Sequence, residues 1–305
     1  MKCNLCPRAC NVDRNVNTGF CGMTNDIYAA RAALHMWEEP CISGEHGSGA
    51  VFFSGCTLRC IFCQNAEIAA AHVGKKITVE RLSDIFLELQ DKCANNINLV
   101  TATHFVSQVA EALVKAKNKG LVIPVVYNSS AYENVSTLNM LDGLVDVYLP
   151  DMKYIDSRLS AEYSKAPDYA DVAKAAIQEM VRQTGKPEFF TDDDELVKSG
   201  SVEAGIMKKG VIVRHLVLPG TTKDSKAVIK YLLDTYADEI YISIMSQYTP
   251  FDRLKNHPLL SRKVTRKEYD SVVDYAIECG INNGFIQEGD VAEESFIPEF
   301  DYEGI

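Results

Sequence analysis

The stretch SGCTLRCIFCQN, Ser54 to Asn65, sets three cysteines within eight positions, directly after an apolar run. Three thiolates at C-x3-C-x2-C spacing can hold a metal or an iron–sulfur cluster, and they leave a last coordination corner open. A structural zinc site normally takes four ligands, often as two C-x2-C pairs. No fourth cysteine follows here, and His72 is the nearest histidine. A zinc knuckle or a rubredoxin-like fragment is the competing reading.

The remaining thiols narrow the chemistry. The chain has 305 residues and ten cysteines. No apolar run reaches the ~18–20 residues that span a bilayer, and the N-terminus lacks the apolar core of a signal peptide. A cytoplasmic location with no membrane contact is therefore expected. In a reducing compartment, metal or catalytic roles suit the cysteines better than disulfides. Cys3, Cys6, Cys10 and Cys21 form a second group at C-x2-C-x3-C-x10-C spacing, able to hold a zinc ion or a second iron–sulfur cluster. Cys93 and Cys279 stand alone and are expected to be small buried hydrophobes. A net charge of −11 argues against nucleic acid as a partner.

Two regions are expected: a cysteine-rich, loop-built leader over residues 1–48, and an α/β domain over 49–305. From Ala50 onward, short apolar strands alternate with helical patterns. Val51–Phe53, Ile97–Val100, Leu121–Tyr127, Leu144–Leu149, Val211–Leu218 and Glu239–Met245 read as strands. Ile77–Asp91, Phe105–Lys119, Ala170–Gln183, Lys226–Tyr236 and Arg266–Glu278 read as helices, with Thr78 as an N-cap and Gly120, Gly185 and Gly280 as stops. Ser136–Leu144 follows a helical pattern less clearly. This alternation predicts βαβ units and a parallel sheet. No G-x-G-x-x-G follows the first strand, so a dinucleotide-binding sheet lacks its fingerprint. A partial (β/α)6-type, TIM-like barrel fits better. Residues 186–209 read as a hairpin or excursion, and the acidic run Asp192–Glu195 as a solvated turn. Active-site groups of a parallel barrel sit at the C-terminal ends of its strands. Cys56, just past the first strand, thus belongs at the catalytic mouth.

The pattern C-x3-C-x-aromatic-C, with Phe62 in the aromatic position, resembles the cluster loop of the radical S-adenosylmethionine enzymes. The segments CNLCPRAC…GFCG, NLVTATH, VVYNSSAYE, VDVYLPDMKY, VRHLVLPG and SIMSQYTP extend the likeness over most of the chain, toward proteins similar to the pyruvate formate-lyase activating enzyme. The resemblance implies a [4Fe–4S] cluster on Cys56, Cys60 and Cys63, with S-adenosylmethionine on the fourth iron and Phe62 beside the adenine. It implies cleavage of the cofactor to a 5′-deoxyadenosyl radical and hydrogen abstraction from a glycyl-radical-type partner protein. A one-electron donor such as flavodoxin or ferredoxin would feed the cluster. Thr101, Thr103 and His104 occupy the place of that superfamily's Gly-Gly-Glu segment, without its acidic side chain. His104 also reads as a helix-start residue. Asn128 and Ser129 suit ribose hydroxyls or a carboxylate, or an Asx turn. Asp151 and Lys153 match an Asp-x-Lys of the activating enzymes, against simple surface alternation. Arg214, inside an apolar strand, requires an anion: the cofactor carboxylate, or Asp151. A small-molecule or other protein substrate is the same-chemistry alternative. A non-catalytic iron–sulfur or zinc protein is the other.

Overall fold

The computed structural model describes residues 2–287 and 298–305. Its frame is one ten-stranded sheet. In chain order the elements are β1 (Ile27–His35), α1 (Pro40–Ser43), β2 (Ser48–Phe53), α2 (Ala66–Ala69), β3 (Lys75–Ile77), α3 (Val79–Asp91), β4 (Ile97–Val100), α4 (Val106–Asn118), β5 (Val125–Ser129), α5 (Val135–Leu138), β6 (Val147–Pro150), α6 (Ser157–Ser164), α7 (Tyr169–Thr184), β7 (Glu188–Phe189), α8 (Glu195–Lys198), β8 (Met207–Leu216), α9 (Thr222–Tyr236), β9 (Tyr241–Met245), α10 (Arg266–Glu278) and β10 (Gly284–Ile286).

The local rules explain most of these boundaries. Thr78 caps α3 by accepting from the Arg81 N–H at 3.1 Å. The helix then buries Leu82, Ile85, Phe86 and Leu89 on one stripe. At α10, Thr265 and Glu268 form a reciprocal capping box.

The strands follow the order β3-β1-β2-β4-β5-β6-β8-β9-β10. From β2 to β10 every neighbouring pair on this path is parallel and the strands follow chain order, with β3 and β7 standing outside the run. That is a singly wound α/β barrel that does not close, as the alternating pattern predicts. It carries a seventh parallel strand, β10, beyond the six expected. β6 and β8 touch over only two residue pairs, Val147–Gly210 and Tyr148–Val211, and an isolated bridge joins Asp151 to Arg214.

Two features depart from the sequence expectation. The leader region holds a nine-residue strand, β1, antiparallel to β2. Its alanines carry neither strand propensity nor a period-2 contrast, so only pairing with β2 makes it a strand. Cys93 and Cys279 are exposed rather than buried. Each lies just past the last turn of a helix, beyond its apolar stripe. The 186–209 segment is an excursion whose short β7 pairs antiparallel with β8. Asp194 there accepts from the Thr191 N–H at 2.9 Å and pairs with Lys208, as a solvated turn would. Among the described residues no helix is long and apolar enough to cross a membrane.

Candidate active site

The C-terminal ends of the parallel strands surround a cavity of about 540 Å³. Cys56, Cys60 and Cys63 stand together on its wall, with Thr101, Asn128, Ser129, Asp151, Lys153 and Arg214. Phe62 also lines it, but its ring is enclosed. Tyr154, Tyr163 and Tyr248 meet it edge-on at centroid distances of 6.3, 6.3 and 6.5 Å. Thr103 and His104 are not among the lining residues. Thr103 donates to Glu133 Oε1 at 2.6 Å, and His104 Nε2 lies 2.6 Å from the Ser54 carbonyl. Burial holds the His104 imidazole down at about 3, so the ring is neutral.

The thiol loop is irregular, and other parts of the chain satisfy its backbone. Arg253 donates to Ile61 O at 3.0 Å and Cys63 O at 2.6 Å. Arg8 donates to Thr57 O at 2.9 Å and Leu58 O at 3.3 Å. Gln64 reaches across to Gln247 O at 3.0 Å. Gly55 turns the chain out of β2 with φ +84°. A β-carbon there would sit 2.7 Å from the Cys21 carbonyl, so the leader can cross the strand end only above glycine.

The sulfurs themselves receive donors. The Leu58 and Arg59 N–H groups reach Cys56 at 3.4 Å, and the Ser164 hydroxyl reaches Cys60 at 3.1 Å. Burial pushes the Cys63 thiol up to about 12 and raises Cys60 as well. Metal must therefore displace the protons from these thiols on binding. Among the described residues no three metal-ligating side chains stand at the spacing of a single ion. A cluster whose sulfurs attach to separate irons does not need that spacing. Soft thiols, hydrogen-bond donors aimed at them, and an open cavity on the remaining side fit a [4Fe–4S] group.

A charge ladder crosses the cavity beside the thiols. Lys153 Nζ meets Asp151 Oδ2 at 2.7 Å, and Asp151 Oδ1 accepts from Arg214 Nε at 3.1 Å. Arg214 then donates to Glu38 Oε2 at 2.9 Å and to Asn128 Oδ1 at 2.6 Å. Glu38 Oε1 closes the network by accepting from Asn98 and Asn128, each at 3.1 Å. Burial works to raise Asp151, but Lys153 and Arg214 outweigh it and hold the carboxyl low. Lys153 is raised: Asp151 and the nearby thiols overcome the cost of burial. Of the two partners foreseen for Arg214, the chain supplies Asp151.

Glu38 and Glu39 are the residues sequence reasoning misses. They follow β1 and enter the barrel from the loop ahead of α1, where no periodic signal points inward. Glu39 is 8 % exposed, and its Oε2 has no hydrogen-bond partner. Burial lifts its carboxyl against the pull of Arg214. Thr101, named from the sequence, lines the cavity with a backbone the sequence does not announce: just past β4 it sits at φ +61°, a strained conformation for a β-branched residue.

Residues 42–166, which include Cys56, Cys60 and Cys63, match the family profile of the 4Fe-4S single cluster domain. The chain is 28% identical over 284 residues to an uncharacterized protein of Methanocaldococcus jannaschii, covering 90% of this chain and 74% of that one. The fold is similar to that of SuiB from Streptococcus suis. The structure of SuiB bound to the precursor peptide SuiA aligns over 77% of this chain with TM-score 0.50 and 14% identity. SuiB bound to S-adenosylmethionine aligns over 76%, again with TM-score 0.50 and 14% identity. The chain spans a little under half the length of SuiB, 46% and 48% in the two structures.

Proposed function

We propose that this chain is a radical S-adenosylmethionine enzyme that abstracts hydrogen from a polypeptide substrate. The observation that carries the reading is the set of three thiols at the mouth of an open α/β barrel, beside a cavity large enough for a nucleoside. When bound, the [4Fe–4S] cluster supplies an electron to S-adenosylmethionine, whose cleavage yields methionine and a 5′-deoxyadenosyl radical.

The chain's own residues prepare that chemistry. Cys56, Cys60 and Cys63 hold the cluster, and the surrounding N–H and O–H donors moderate the charge on their sulfurs. Lys153 places a cation close to Cys60 and Cys63, favouring anionic sulfur over neutral thiol. Phe62 and its three tyrosines make the cluster side of the cavity apolar and keep water from it. Thr101, Asn128 and Ser129 present polar groups at the ends of β4 and β5, suited to ribose and carboxylate oxygens. Asn128 is held by Arg214 and Glu38, so its amide is oriented before any ligand arrives. Asp151 and Lys153 face the same space and would sit against the reacting C–H. The finer assignment follows the cluster-loop likeness: a backbone glycine of a glycyl-radical-type protein. SuiB, a protein of this fold, has been crystallised with a precursor peptide and with S-adenosylmethionine, which supports a polypeptide substrate.

Anaerobic reconstitution with iron and sulfide tests the reading. Under reductant, the loaded chain should release 5′-deoxyadenosine and methionine slowly without substrate, and Cys60→Ala should release none. A chain that holds a cluster yet never yields 5′-deoxyadenosine is an iron–sulfur carrier instead. Glycine-deuterated partner proteins or peptides then locate the substrate, through deuterium appearing in the 5′-deoxyadenosine.

A further inference from the structure

The part of the leader ahead of β1, residues 2–24, contains no helix and belongs to no strand; only Lys2 and Asp13 form an isolated bridge. Short turns hold it, such as Cys3 N to Val12 O at 2.8 Å, Ala9 N to Cys6 O at 3.0 Å and Gly22 N to Gly19 O at 2.9 Å. Its buried apolar content is slight: Cys6, Cys21 and Met23, with Val16 75 % exposed. Such a segment cannot offset the entropy of its own ordering by burial alone.

Four thiols gather in it. Cys6 and Cys21 are buried, Cys3 and Cys10 half-buried, and all four are free of disulfides. The Cys10 sulfur takes the backbone N–H of Phe20 at 3.1 Å. A neutral thiol is a weak acceptor, whereas a metal-bound thiolate calls for such donors. A β-carbon on Gly19 would stand 3.5 Å from the Cys21 sulfur and 3.6 Å from the Cys10 sulfur, so these two sulfurs flank the same glycine.

The same turns carry the groups that dock on the thiol loop of the active site. Arg8, between Cys6 and Cys10, donates to Thr57 O, Leu58 O, Lys165 O and Ser164 O, the last at 2.8 Å. Its guanidinium stacks 4.0 Å from the centre of the Phe20 ring, and Phe20 O accepts from Arg59 at 3.2 Å.

We propose that Cys3, Cys6, Cys10 and Cys21 form a four-thiolate site for an iron–sulfur cluster, whose sulfurs do not need the spacing of a single ion, and that this cluster fastens the leader across the active-site thiol loop. Binding joins four sulfurs to the metal and releases their thiol protons to solvent. The centre fixes the spacing of the turns, and the turns place Arg8 and Phe20.

The test separates this site from the active-site cysteines. A full-length chain with C56A, C60A and C63A is reconstituted anaerobically with iron and sulfide, and its iron and sulfide content is measured. One centre per chain is expected, and adding C6A and C10A should remove it. A folded triple variant that binds no iron and sulfide overturns the proposal. Should that variant not fold, the intact chain is compared with C6A/C10A. Loss of one centre, with faster tryptic cleavage at Arg8 and Arg14, is the expected result; equal metal content overturns the proposal. Neither measurement depends on the radical reaction.

Discussion

Glu133 offers a quantitative check on the ground beneath the leader. It follows β5 and is 2 % exposed. One carboxyl oxygen accepts from Thr103 at 2.6 Å and the other meets no partner. Burial lifts the group from 4.5 to about 7, against the pull of the neighbouring hydroxyls. The folded chain thus keeps this proton to a higher pH than the unfolded chain. Below about 4.5 both states are protonated and the group costs nothing. As pH rises toward 7 the unfolded chain ionises first, and stability is lost until the folded carboxyl ionises too. At about 1.4 kcal/mol per pH unit, the whole loss is about 3 kcal/mol, of which about 2 kcal/mol falls above pH 5.5. Glu133→Gln keeps the shape and removes the titration. Urea unfolding of both chains at pH 5.5 and 8.5 isolates the effect, because other titrating groups cancel in the difference. The gap should move by about 2 kcal/mol in favour of the glutamine variant as pH rises. A gap constant within about 0.5 kcal/mol across that range means that Glu133 is solvated or paired, and the reasoning fails.

Arg214→Met leaves Glu38 and Asp151 without their shared cation and should cost about 3–5 kcal/mol in urea unfolding; adding Glu38→Gln should recover part of it, and a merely additive double variant would contradict the ladder. Ser164→Ala removes the hydroxyl that donates to the Cys60 sulfur, so the reduction potential of the loaded centre should fall in a spectroelectrochemical titration; an unchanged potential would show that the bond does not reach the centre. Phe62→Ala empties the space inside three tyrosine edges and should cost about 3–5 kcal/mol; a loss under about 1 kcal/mol would mean the ring is not enclosed. Gly55→Ala forces a β-carbon into positive φ and toward the Cys21 carbonyl, costing about 1–2 kcal/mol from the backbone alone, and should speed proteolysis of the leader relative to the barrel.

The two kinds of information divide along physical lines. Spacing along the chain is enough for local structure: Thr78 ahead of an apolar stripe specifies α3, and β-branched runs specify β4, β5 and β8. The alternation of such segments specifies a parallel sheet, because each helix must cover the strand it follows. The thiol spacing also places Cys56, Cys60 and Cys63 on one short loop after a strand, where no long-range contact is required to bring them together.

What the sequence could not reveal depends on residues far apart meeting. β1 is a strand only because β2 accepts its hydrogen bonds; alanine repeats carry no such instruction. Thr103 and His104 share a motif with Thr101, yet the turn after β4 sends them to Glu133 and Ser54, leaving Thr101 alone at the cavity. Glu38 reaches Arg214 across 176 residues, and Arg8 reaches Ser164 across 156. Burial, which lifts the carboxyls of Glu39 and Glu133, is likewise a property of the packed barrel, since it depends on what displaces water around each group.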